Sequence, residues 1–258
     1  MTTLKEKRFK TFFRDPLYLI YKNHLYNYLV RRWTIRGALR GRSFNQILEV
    51  GCGISPMANA SIRSLRTDLS WRALAILEIV NRDREKSRSV ACSATELPFQ
   101  ENCIEGVVCS EVLEHIEEDG KALDEIYRVL KPGGEFILTG PIHQEDFGFD
   151  DEFVGHYRRY EVDSLCRELK RRGFKDFEIR PVLGRLEKQI MERVTRLFAL
   201  VKKGETKARP LGCFTRTLAW LALPFYIGVN YGLALLVFLQ ARQASQENIV
   251  NILIHCRK

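Results

Sequence analysis

The chain has 258 residues, 45% of them hydrophobic and 28% charged, with a formal net charge of +9. That length suits one α/β core with embellishments and leaves no room for a second independent core. Seven cysteines form no C-x-x-C pair, and Cys52, Cys92 and Cys109 fall in or beside predicted strands, which argues against structural zinc or disulfides and for buried thiols in a reducing compartment.

Residues 1–46 carry eleven Lys or Arg and two acids, so the whole net charge of +9 belongs to this segment; the rest of the chain holds thirty residues of each sign. The segment is also rich in aromatics, from Phe9, Phe12 and Phe13 to Trp33. Basic residues interleaved with aromatics suit an anionic membrane surface or a nucleic-acid backbone, or else the solvated face of a helical cap. Asp15-Pro16 is a helix start, and the helix is expected to run to about Arg40. The N-terminus shows no apolar run followed by a small-residue cleavage site, so the expected compartment is the cytosol.

Gln46–Val50 reads as the first strand and runs into Gly51-Cys52-Gly53-Ile54-Ser55-Pro56. Closely spaced glycines after an apolar strand let backbone N–H groups approach a nucleotide-type cofactor. A dinucleotide site needs a third glycine for close helix–strand packing. Pro56 stands there instead, which favours S-adenosylmethionine, and a helix is expected to begin near it. A second strand is expected to end at Asp68, seventeen positions after Gly51, where its carboxylate would meet the ribose hydroxyls. Trp71–Asn81 reads as a helix and Ser89–Cys92 as strand three. Glu105–Cys109 reads as strand four, Glu111–Leu130 as one or two helices, Lys131–Gly134 as a helix stop and turn, and Glu135–Thr139 as strand five. Glu161–Arg172 follows as a helix, Lys175–Arg180 as strand six and Ile249–Cys256 as the last strand.

With SATELPF (93–99), IEGVVCSEVLEHI (104–116) and ALDEIYRVLKPGGEFILTGPI (122–142) in order behind the glycine loop, the chain resembles the class I S-adenosylmethionine-dependent methyltransferases. The likeness is to the group that contains ubiquinone- and menaquinone-pathway and small-molecule enzymes, and it covers roughly residues 44–182 and the last ten or so. It implies a Rossmann-like seven-stranded sheet, mostly parallel, whose last strand inserts antiparallel next to strand six. It also implies S-adenosylmethionine as cofactor. Glu49 would position the loop, Gly51, Cys52 and Gly53 would lie along the amino-acid tail, Asp68 would take the ribose, Ser93, Ala94 and Thr95 would frame the adenine, and Ser110 would also bind the cofactor. Ser93 departs from the aspartate common in the group.

Methyl transfer is an in-line displacement, so alignment supplies most of the acceleration and a base assists a hydroxyl acceptor. His115 and His143 are the candidate bases. Glu111, Glu114 and His115 form E-x-x-E-H, which would put all three near one face of a helix and, by resemblance, could hold Mg²⁺ or Mn²⁺ that polarises an acceptor hydroxyl. His156, Tyr157 and Arg158, in VGHYRRYE, resemble a segment that crosses the mouth of the site and would touch substrate.

Four regions result: a basic aromatic helical extension (1–45), a cofactor-binding core (46–182), an apolar helical insertion (183–245) and the last core strand (246–258). Thr217–Gln240 in the insertion has no charge over twenty-four positions, long enough to span a membrane. A single crossing would strand the last strand on the wrong side. A re-entrant hairpin broken at Pro224, Gly228, Asn230 and Gly232, an interfacial helix, or an apolar lid remain, with Leu186–Val201 as an amphipathic neighbour. The expected function is O- or C-methylation of a small-molecule or lipid-linked acceptor at the cytoplasmic membrane face. A nucleic-acid methyltransferase, and a non-catalytic cofactor-binding scaffold, are the rivals.

Overall fold

A computed structural model of the chain describes residues 16–58, 63–80, 87–204 and 213–258. Lys5, Lys7, Arg8, Lys10, Arg14 and the three N-terminal phenylalanines therefore lie outside the described residues, as does Asn81. The described elements are α1 (Pro16–Asn23), α2 (Tyr26–Leu39), β1 (Ile47–Val50), β2 (Ser64–Asp68), α3 (Trp71–Val80), β3 (Ser87–Ala91) and β4 (Ile104–Ser110). They continue with α4 (Asp119–Val129), β5 (Leu130–Pro141), α5 (Phe149–Val154), α6 (Val162–Arg171), β6 (Lys175–Gly184), α7 (Arg185–Gly204), α8 (Cys213–Gln243) and β7 (Ile249–Arg257).

The seven strands form one sheet in the order β3-β2-β1-β4-β5-β7-β6. β1 to β5 pair in parallel, and β7 runs antiparallel between β5 and β6. A parallel sheet is covered on both faces, which is why β1 and the centre of β4 are buried without alternation. On one face Leu48, Val50, Val107, Cys109, Phe136 and Leu138 pack with Ala122, Leu123 and Ile126 of α4 and Leu165 and Leu169 of α6. On the other, Ile47, Val108, Ile137 and Leu253 pack with Leu29, Val30 and Ile35 of α2 and Ala234 and Val237 of α8. The N-terminal extension and the insertion thus cover one face of the sheet across β1, β4, β5, β6 and β7.

Several elements differ from the sequence reading. The expected single N-terminal helix is two, separated at His24-Leu25. Ser55–Ala58, where a helix was expected to begin, is turn and bend up to the last described residue of that stretch. Glu111 has φ 54°, and only a 3₁₀ turn, Leu113–His115, precedes α4, so E-x-x-E-H is not on a helix. The left-handed backbone at Glu111 ends the strand before a helical turn can form around it. Lys131–Gly134 lies inside β5 as a bulge, with Ile104 opposite Leu130 and Gly106 opposite Glu135. Most consequentially, α8 is continuous across Pro224, Gly228, Asn230 and Gly232. Asn230, read as a breaker, returns its amide to the Tyr226 carbonyl (2.9 Å) and accepts the Tyr26 N–H (3.0 Å), tying α8 to the start of α2.

Candidate functional site

The carboxyl ends of β1, β2, β4 and β5 open onto one edge of the sheet, where the glycine loop lies. Gly51 and Gly53 have φ of +65° and +54°, which L side chains rarely adopt. A Cβ at Gly51 would also sit 2.5 Å from Val112 Cγ2, so this glycine lets the β4 loop close over the cofactor loop. Glu49, at the end of β1, is buried and accepts the Met57 N–H and, at 3.5 Å, that of Ala58. Burial pushes its carboxyl up to about 6 against those hydrogen bonds and the charge of Arg66. Asp68 Oδ2 accepts the Gly53 N–H at 2.8 Å and Oδ1 the Ser70 N–H at 2.7 Å, while burial raises its pKa.

Most of the loop's own donors are therefore spent: Cys52 N–H on Thr67 O, Gly53 on Asp68, Ser55 on Cys52 O, and Met57 and Ala58 on Glu49, while the Gly51 and Ile54 N–H groups have no acceptor among the described residues. The sequence reading left these amides open for a cofactor tail. The structure uses Cys52 and Gly53 of these to hold the loop, because a tight turn over two strand ends must satisfy its buried N–H groups internally, and leaves the Gly51 N–H without an acceptor among the described residues. Further along the edge, Ser93 and Thr95 share a hydroxyl hydrogen bond of 2.7 Å beside Ala94, and Ser110 Oγ lies 2.8 Å from Thr139 Oγ1.

Behind this edge is a buried polar cluster. Glu111 does not join Glu114 and His115: both its oxygens are occupied by Asn251 Nδ2 (3.0 and 2.9 Å), one also by Thr139 Oγ1, and Arg31 Nη1 stands 3.8 Å away. Glu114 is buried, and burial followed by the Glu111 charge raises its pKa well above the carboxylate range. His156 faces it, Nε2 to Oε1 3.8 Å, and the His115 ring stacks edge-on at 4.6 Å. His156 Nδ1 is fixed by Asp151 at 2.7 Å, which also accepts from Arg159 Nε and the Gly148 N–H. Burial opposes the Asp151 charge, but the bonds from His156 and Arg159 prevail and hold its carboxyl at about 2. The three residues whose donor atoms converge are thus Glu114, His115 and His156, with His156 in the place expected for Glu111.

His143 stands apart with Glu145 and Glu161, in left-handed backbone, its Nδ1 3.7 Å from Glu145. Arg158 bonds Asp119 and the Glu117 carbonyl, and Tyr160 Oη also donates to Asp119, so these residues dock the loop. The Tyr157 N–H donates to the Glu114 carbonyl.

Arg31, Asn27, Glu187, Asp151 and Asn251 were not singled out from sequence. Asn27 and Arg31 are four apart on α2, a spacing that shares a helix face, and the Arg31 Nε bonds the Asn27 carbonyl. Glu187 comes from α7, accepts from Asn27 Nδ2 at 3.3 Å, and is raised to about 7 by burial against the pull of Arg31. No local signal marked it, because its partner lies 160 residues away.

A methyltransferase-domain family model matches residues 48–138. Demethylmenaquinone methyltransferase of Renibacterium salmoninarum is 32% identical over 137 residues, 52% of this chain and 52% of the relative. An uncharacterised protein of Methanocaldococcus jannaschii is 28% identical over 131 residues, covering 50% of this chain and 54% of the relative. The chain spans about half the length of the curated relatives it matches. Among solved structures, phosphoethanolamine N-methyltransferase 2 of Haemonchus contortus, in complex with S-adenosyl-L-methionine, superposes with TM-score 0.65 at 19% identity, covering 100% of this chain and 60% of that one. The YcgJ protein of Bacillus subtilis gives TM-score 0.56 at 15% identity over 88% and 97% of the two chains. At these identities the structural likeness is one of fold.

Proposed function

We propose that the chain is a class I S-adenosylmethionine-dependent methyltransferase that transfers the methyl group to oxygen or carbon of a small-molecule or lipid-linked acceptor at a membrane surface. The observation that carries the cofactor reading is Asp68. It stands at the end of β2, one oxygen on Gly53 and the other on Ser70, each with a lone pair left for a ribose hydroxyl. Asp68→Ala removes charge-assisted bonds worth about 1.5–3 kcal/mol each, so S-adenosylhomocysteine should bind about tenfold or more weakly by calorimetry. An unchanged dissociation constant rejects the ribose role.

The membrane reading rests on α8. Its inward stripe is Asn230, Ala234, Val237 and Ala241, while Leu221, Phe225, Leu236 and Leu239 on the opposite side are 50–78% exposed. A helix apolar all round with one face in water lacks a second apolar neighbour. Demethylmenaquinone methyltransferases among the relatives are consistent with a lipid-linked acceptor. Metabolite and lipid profiling of a strain lacking the gene should show an acceptor short of one methyl group, in the lipid fraction on this reading and in the soluble fraction against it.

One observation favours a divalent cation as well. Glu114 Oε1 is buried without a hydrogen-bond partner, and a carboxylate oriented behind a histidine, as Asp151 is behind His156, is a common outer shell for a metal ligand. Glu114, His115 and His156 would hold the ion, and this mixed oxygen and nitrogen set suits Mn²⁺ better than Mg²⁺. When bound, it would polarise an acceptor hydroxyl. Mn²⁺ titration followed by electron paramagnetic resonance should give one site, lost in Glu114→Gln; no bound Mn²⁺ in the unaltered protein rejects it.

A further inference from the structure

We infer that Arg36, supported by Arg32, binds the amino-acid carboxylate of the cofactor from the N-terminal helix α2. The inference deepens the proposed function and rests on its cofactor reading.

An anion at the glycine loop needs donors, and the loop has few to give. Cys52, Gly53, Ser55, Met57 and Ala58 all spend their N–H groups on protein acceptors, and Pro56 has none. The one acid under the loop, Glu49, repels a carboxylate and is already bonded to Met57 and Ala58. The Gly51 and Ile54 N–H groups, which have no acceptor among the described residues, carry no net charge, so a cationic source beside the loop would supply what they lack.

α2 supplies one. Arg32 and Arg36 are four apart, hence on one face of the helix, and Arg36 Nε reaches the Met57 carbonyl at 3.4 Å, at the far end of the glycine loop. Among the described residues neither guanidinium has a carboxylate within ion-pair distance, whereas Arg31 and Arg42 on the same stretch do. Arg32 Nη1 and Nη2 are held by the Asn23 carbonyl and side chain, which fixes that guanidinium, and its Nε is buried without an acceptor. Arg36 is exposed, and its two terminal nitrogens have no partner among the described residues. Burial and then the Arg36 charge work against the charged form of Arg32, with Tyr231 and Glu49 opposing them. Two cations on one helix face without an ion-paired carboxylate are mutually repulsive, with Glu49 acting on both only from a distance, and a carboxylate between them removes the repulsion while accepting the planar fork of Arg36. The charge of the N-terminal segment then has a use at the cofactor, apart from any membrane.

The test separates the carboxylate from the rest of the cofactor. Calorimetry compares S-adenosylmethionine with decarboxylated S-adenosylmethionine, which keeps the sulfonium, ribose and adenine. Arg36→Ala should weaken S-adenosylmethionine by about ten- to a hundredfold and the decarboxylated form by less than about twofold, with Arg36→Lys in between. Arg32→Gln should give a smaller loss of the same selectivity. Equal losses for both ligands, or none in either variant, overturn the inference while leaving the cofactor reading intact. If the unaltered protein binds neither ligand, the cofactor reading itself has failed, and this inference with it.

Discussion

Glu187 is an acid placed where its charge is costly. Burial lifts its pKa from 4.5 to about 7, opposed by Arg31 and by the Asn27 amide. Between those two values the folded protein holds a proton that the unfolded chain has released. Stability from this group is therefore full below pH 4.5 and falls as pH rises to about 7. Glu49, raised to about 6, acts in the same direction over a narrower window. Glu187→Gln keeps an oxygen for Asn27 and removes the titration, so its stability relative to the unaltered protein should rise between pH 5 and 8 by roughly 3 kcal/mol at most. Urea unfolding at the two pH values measures this, and parallel curves for both proteins reject the buried, protonated state. Asp151 works with the opposite sign: held at about 2, it stabilises the fold above the ordinary aspartate range and loses that contribution as the pH falls.

At the scale of elements, α8 decides how the insertion is understood. Its thirty-one residues extend about 46 Å as one helix. Ala234 and Val237 are wholly buried against α2 and the sheet, and Trp33 meets Phe238 edge-on at 6.0 Å. The helix therefore lies along the domain, and its two faces should respond differently to the same substitution. Val237→Asp buries a carboxylate without a partner and should cost about 3 kcal/mol or more of unfolding free energy. Phe225→Asp, on the outward face, should change stability by no more than about 0.5 kcal/mol. Equal destabilisation by the two would mean that the outward face is covered.

For the whole molecule, the proposed membrane contact would have two separable routes, the outward face of α8 and the basic N-terminal segment. The formal +9 overstates the second, since Arg31 faces Glu111 and Arg42 bonds Glu135 at 2.7 Å. What remains contributes at most about 1 kcal/mol per cation near an anionic surface and is screened by salt, whereas apolar burial is not. Flotation with phosphatidylserine-containing vesicles should therefore fall only partly at 1 M salt, and Leu221→Asp combined with Phe225→Asp should make it wholly salt-sensitive. A protein that never floats rejects the membrane reading.

The amino-acid sequence already carried the sheet and the place of the glycine loop. Gly51, Gly53 and Asp68 report local backbone needs, and apolar runs such as Val107-Val108-Cys109 report burial on both faces, and such signals survive in a linear string. It misjudged Glu111, because a single left-handed residue converts an expected helical i, i+3, i+4 face into a strand end followed by a 3₁₀ turn. It misread α8 as broken, since Asn230 is satisfied by Tyr26, 204 residues away. Only the tertiary structure brought Glu187 to Asn27, Asn251 to Glu111 and Asp151 to the histidine that faces Glu114. Most of those pairings join segments far apart in the chain, and a buried polar group's partner is set by packing, which leaves no mark on the residues beside it in sequence.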